Sequence, residues 1–176
     1  MNETKTLVKT RSWIGYKTDD LAWTVGITVA IVVSSALLAH TPANQILTGT
    51  IVNALLFLAA YRMPFVNACL IAVLPSSIAL MRGLLPAPMV MLVPYIIVSN
   101  VALISIFSAL KKTPLVGVLI SSATKFALLC SITYLVASRL NPNIISMFQW
   151  PQLITALLGG FIFINAKKFF EIKLEN

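Results

Sequence analysis

The chain has 176 residues, 59% of them hydrophobic and only 10% charged, against about a quarter charged in soluble domains; a soluble fold is excluded and an all-α integral membrane protein is expected. That length holds one bundle of about six transmembrane helices at roughly 20 residues each, so an ATPase or catalytic domain would belong to another chain. A net charge of +8 would point to nucleic acid in a soluble protein, but here Lys and Arg gather at span ends, where they act as topology signals, and no nucleic-acid partner is expected.

Residues 1–20 mix Lys5, Lys9, Arg11 and Lys17 with Glu3, Asp19, Asp20, Trp13 and Tyr16. The first long apolar run begins only near Leu21, too late for a secretory signal, so this stretch reads as a cytoplasmic, interfacial lead-in. The transmembrane domain then covers 21–166. Its first span, about 21–39, sets Ala22, Gly26, Ala30 and Ser34 at intervals of four. Such a small-residue face lets another helix approach closely, more often within a bundle than at a partner interface. The second span, about 45–61, carries Asn53, and the third, about 65–81, carries Asn67, Pro75, Ser76 and Ser77. Gly83 to Pro88 reads as a stiff outer turn, because proline fixes φ and cannot extend a hydrogen-bond ladder.

A fourth span, about 89–110, holds Asn100 and ends at Lys111 and Lys112; a fifth, about 115–138, holds Lys125. A loop through Arg139, Pro142 and Met147 leads to Trp150-Pro151-Gln152 and a sixth span, about 153–166, followed by a basic cytoplasmic tail at 167–176. With the N-terminus inside, ten of the thirteen Lys and Arg fall on the cytoplasmic side and only Arg82 and Arg139 outside. This positive-inside bias places both termini in the cytoplasm of a multi-pass protein of the cell membrane.

Lys125 is the sharpest functional signal. A charge at the bilayer centre costs about 2.5–3.5 kcal/mol on insertion scales and usually marks a function, and this lysine lies some ten residues from either span end. The plainer reading is a lysine that donates to carbonyls freed near Pro75 or Pro94. All five carboxylates (Glu3, Asp19, Asp20, Glu171, Glu175) lie in terminal segments. The membrane-embedded acids that serve ion-coupled carriers are therefore missing, and an anionic or strongly polar small-molecule ligand is favoured. Asn53 and Asn100 fall near mid-span and can share a depth with Lys125, while Ser76, Ser77, Arg82 and Gln152 are expected outward of that layer. The four prolines of 75–100 free backbone groups that lipid cannot satisfy, so this stretch reads as the wall of the site. One histidine (His40) and two separated cysteines, Cys69 and Cys130, leave no triad, zinc spacing or iron–sulfur ligand set. No catalysis, metal or cofactor is expected.

QILTGTIVNALLF (45–57), LPSSIALMRGLLPAPMVMLVPYIIVSN (74–100) and WPQLITALLGG (150–160) resemble a small bacterial membrane family close to the substrate-binding S components of energy-coupling-factor transporters. That resemblance implies high-affinity capture of a vitamin or related micronutrient from outside the cell. It also implies an ATPase pair and a transmembrane coupling subunit as partners, the latter docking on a face such as Ala22, Gly26, Ala30 and Ser34, which matches the family pattern loosely. The competing expectations are an accessory or structural membrane protein without a ligand, and an autonomous small carrier.

Overall fold

The computed structural model describes residues 18–38, 44–83, 87–136 and 142–172. The lead-in with Trp13 and Tyr16, the end of the tail, and His40, Pro42, Pro86 and Arg139 lie outside the described residues. Within them every regular element is a helix: α1 (Thr18–Leu37), α2 (Asn44–Arg62), α3 (Phe65–Met81), α4 (Ala87–Val90), α5 (Val93–Ala109), α6 (Pro114–Leu135), α7 (Pro142–Met147) and α8 (Trp150–Ile172). Four helical stretches are long and apolar enough to cross a membrane, in α1, α2, α6 and the region of α8. The apolar helices α3 and α5 have 17 residues each, roughly 26 Å at 1.5 Å per residue. Large apolar side chains cover the outside of the bundle, among them Leu21, Val25 and Val29 on α1, Leu115 and Leu119 on α6 and Phe161 on α8. Exposed apolar side chains in such number are compatible with a membrane-facing surface.

Proline acts differently at its several positions. Helix α3 absorbs Pro75 and matches the expected 65–81 end to end. The fourth expected span, 89–110, is instead broken at Met91 and Leu92 into α4 and α5. The ring of Pro94 opposes the carbonyl four residues earlier and brings no N–H to it, so the chain turns there through the short Leu92 N–H to Met89 carbonyl bond at 2.9 Å. Beyond the fifth span, the expected loop contains helix α7. Helix α8 starts three residues early because Pro151 is tolerated in a first turn. It also runs on to Ile172, so Lys167 and Lys168 are helical.

One end of the bundle is aromatic and basic. Phe57, Phe107 and Phe163, all fully or nearly fully buried, pack with ring centroids 5.0, 5.4 and 6.1 Å apart. Beneath them Lys167 lies 4.8 Å over Tyr61, and Arg62 lies 5.1 Å over Trp23, so cations cap the aromatic faces. The opposite end holds a smaller cluster of Met89, Leu92, Leu129 and Phe148, and there Gln45 Nε2 donates to the Met147 carbonyl at 2.9 Å.

On α1 the buried stripe is Ile27, Ile31 and Ser35. The small-residue face lies elsewhere: Ala22 and Gly26 are exposed, and Ala30 and Ser34 half-buried. Packing of that face inside the bundle is thus corrected, because the large β-branched side chains supply more apolar contact and take the inward position. The close helix approach is made by α8 on α2. A Cβ at Gly159 would stand 2.7 Å from the Thr50 carbonyl oxygen and 2.7 Å from the Ala54 nitrogen, whereas nothing lies within 4 Å of one at Gly26. Gly159→Ala is therefore expected to destabilise the chain by about 1–3 kcal/mol, the usual cost of overpacking. Gly26→Ala should be neutral or stabilising by up to about 1 kcal/mol. Unfolding midpoints in detergent check both, and equal midpoints would refute this helix contact.

Candidate functional site

Five of the seven polar residues singled out in the sequence line one cavity of about 140 Å³. Lys125, Asn53, Asn100, Ser76 and Gln152 form its polar wall, and Gly49, Val52, Pro75, Ala79 and Ile96 complete it. These residues come from α2, α3, α5, α6 and α8. In each of α3, α5 and α8 they lie in the half remote from the aromatic and basic end, as do Gly49 and Val52 on α2, whereas Asn53 on α2 and Lys125 on α6 lie at mid-helix. The cavity therefore reaches from mid-bundle toward the end that carries α4 and α7.

Lys125 is 3% exposed, and its Nζ donates to Asn53 Oδ1 at 2.7 Å. This overturns the expectation that a structural lysine would use carbonyls freed by Pro75 or Pro94. Asn53 is itself held on its other side. Its Nδ2 donates to the Gly49 carbonyl at 2.8 Å, one turn back on α2, and to Thr155 Oγ1 on α8 at 3.3 Å. Thr155 Oγ1 in turn donates to the Gln152 carbonyl at 3.2 Å. A single chain of hydrogen bonds thus links α6, α2 and α8. Asn53 functions in it as the group that positions Lys125, since its own donors and its carbonyl are already engaged.

Asn100, 2% exposed, belongs to a different pairing. Its Nδ2 donates to the Ala72 carbonyl of α3 at 3.2 Å. The carbonyl that Pro75 leaves without its helical N–H is that of Ile71, four residues earlier, so Asn100 bonds the neighbouring Ala72 carbonyl and not the one the proline frees. Asn100 Oδ1 has no partner among the described residues. Nor has Ser122 Oγ, one turn from Lys125 on α6, or Thr50 Oγ1, one turn from Asn53 on α2.

The remaining two candidates do not join the cavity. Ser77 turns back onto its own helix, its Oγ donating to the Val73 carbonyl at 3.0 Å, the local alternative open to any helical serine. Arg82 is exposed at the end of α3. Ser76 and Gln152, expected outward of the Lys125 layer, line the same cavity. Sequence reasoning missed Thr155, Gly49 and the Ala72 carbonyl. The spacing of Thr155 and Gly159 was their available signal, since a hydroxyl one turn from a glycine is set where backbones touch. Among the described residues, no group of His, Cys, Asp and Glu could hold a metal.

Replacing Asn53 by Leu strips the acceptor from a buried ammonium and is expected to cost about 1.5–3 kcal/mol, the range for hydrogen bonds to charged groups. Adding Lys125→Met in that background should recover part of the loss. A double-mutant cycle on unfolding free energies reads the coupling, expected between about 0.5 and 3 kcal/mol; strict additivity would mean that the 2.7 Å contact carries no energy.

No protein-family model, curated protein or solved structure matches this chain.

Proposed function

We propose that this chain is a membrane-embedded capture subunit that binds a small polar or anionic molecule in the half of its bundle facing out of the cell. The reading follows the energy-coupling-factor S components that its sequence resembles. One observation carries it: Lys125, buried and with no Asp or Glu among the residues that line its cavity, shares that space of about 140 Å³ with Asn100, Ser76 and Gln152. A buried cation is costly unless something neutralises or solvates it, and a bound anion would do so. The six-span arrangement with both termini in the cytoplasm belongs to the same proposal. It is supported by the basic residues Arg62, Lys111, Lys112, Lys167 and Lys168 at helix ends remote from the cavity.

The open face of α1 at Ala22 and Gly26 supports docking of a transmembrane coupling subunit, with Ala30 and Ser34 at its edge. An ATPase pair would then drive release into the cell. A second reading is favoured by the Lys125–Asn53–Thr155 chain, which ties three helices and would suit a purely structural membrane protein.

The two readings part on Lys125→Met, which keeps the apolar stem and removes the charge. As a capture subunit, the variant should fold at least as well as the parent and lose about 2–5 kcal/mol of affinity for small anions that stabilise the parent thermally. A variant that unfolds readily yet keeps every such thermal shift would leave only the structural reading. Topology is checked independently in a background with Cys69 and Cys130 replaced. A cysteine at Met81, which is 86% exposed, should react with an impermeant maleimide added outside intact cells, and one at exposed Thr113 only after permeabilisation. The reverse labelling pattern would sink the outward-facing site.

A further inference from the structure

The cavity has fixed polarity at two points. Lys125 Nζ can only donate, and of its three donors one is spent on Asn53 Oδ1. Asn100 has the opposite sense. The Ala72 carbonyl holds its Nδ2 at 3.2 Å, and turning the amide over would set one carbonyl oxygen against another, so the group left without a partner is the acceptor Oδ1. Ser76 and Gln152 can present either sense and discriminate little. An unpaired acceptor in a residue 2% exposed is expensive until a donor reaches it. The space is also small. About 140 Å³ is close to the roughly 150 Å³ that admits benzene in an engineered protein cavity, and Val52, Pro75, Ala79 and Ile96 give it apolar walls.

We propose that the ligand is a single-ring monoanion that also carries a hydrogen-bond donor, with its anionic group on Lys125 Nζ and its N–H or O–H on Asn100 Oδ1. This assignment rests on the capture reading and names the class of molecule captured. The volume of about 140 Å³ fits one ring, and monoanions without a donor leave Asn100 Oδ1 unpaired. Asn53 takes no part in recognition beyond holding the ammonium in place.

Two probes of nearly equal size and charge separate the donor from everything else: pyrrole-2-carboxylate has a ring N–H where furan-2-carboxylate has a ring oxygen. Titration calorimetry on the purified full chain in detergent should give a dissociation constant at least tenfold lower for the pyrrole acid. Asn100→Leu should bring the two within about twofold of each other, and Lys125→Met should weaken both by tenfold or more. Should Asn100→Leu fail to fold, N-methylpyrrole-2-carboxylate on the parent protein replaces it and should bind no better than the furan acid. Equal affinity of the parent for the pyrrole and furan acids, or a preference that survives Asn100→Leu, overturns the proposal. If neither acid binds while acetate or inorganic phosphate does so in a Lys125-dependent way, the ligand class is wrong and the capture reading stands. Binding of none of these probes overturns both.

Discussion

A single lysine side chain placed inside an apolar bundle constrains much of this architecture. Lys125 is buried at the middle of α6 and meets no carboxylate among the described residues, so its amino group must be answered by dipoles. The nearest is the carbonyl of Asn53, and that carbonyl is useful only if the amide behind it cannot rotate. Gly49 and Thr155 prevent the rotation by engaging Nδ2. Four residues on three helices therefore behave as one unit, and in a low-dielectric interior such a unit is costly when incomplete and stiff when complete.

The unit in turn depends on how closely α2 and α8 approach. Thr155 reaches Asn53 because Gly159, one turn further along α8, lies against the Thr50 carbonyl and the Ala54 nitrogen with no side chain between. Gly160 sits likewise against Val118 and Phe57, which brings α6 to the same seam. Close backbone approach through small residues is how helices associate where the hydrophobic effect offers no drive. Here the tight contact and the polar network share one seam.

Proline does complementary work on the other side of the cavity. Pro75 sits within one turn of the Ala72 carbonyl that holds Asn100, and Pro94 breaks the chain before α5 so that Asn100 enters from a helix beginning at that end. The result is a wall with two kinds of polar group, one a donor held by α2 and one an acceptor held by α3. Aromatic packing fills the opposite half.

Much of this was legible in the sequence. Composition determined an all-helical, apolar fold, and the boundaries of α3 follow directly from the run between Pro64 and Arg82. The rarity of polar residues in apolar runs identified Lys125, Asn53 and Asn100, because each such residue is too costly in that setting to be incidental. What the sequence left open was azimuth. Helices α3, α5 and α6 are apolar nearly all round, and a helix without an amphipathic stripe does not reveal which side faces its neighbours. Adjacent serines illustrate the point: Ser76 lines the cavity and Ser77 folds back on its own backbone, although their types and surroundings in sequence are alike. The same holds on α1, where the even spacing of small residues drew attention away from Ile27 and Ile31, which pack inward. Only the tertiary structure decided that Lys125 pairs with Asn53, that Asn100 is turned by Ala72, and that Arg82 stands apart. Those choices depend on helix rotations of a few tens of degrees, which are set by contacts between segments far apart in the chain and by nothing local to any of them.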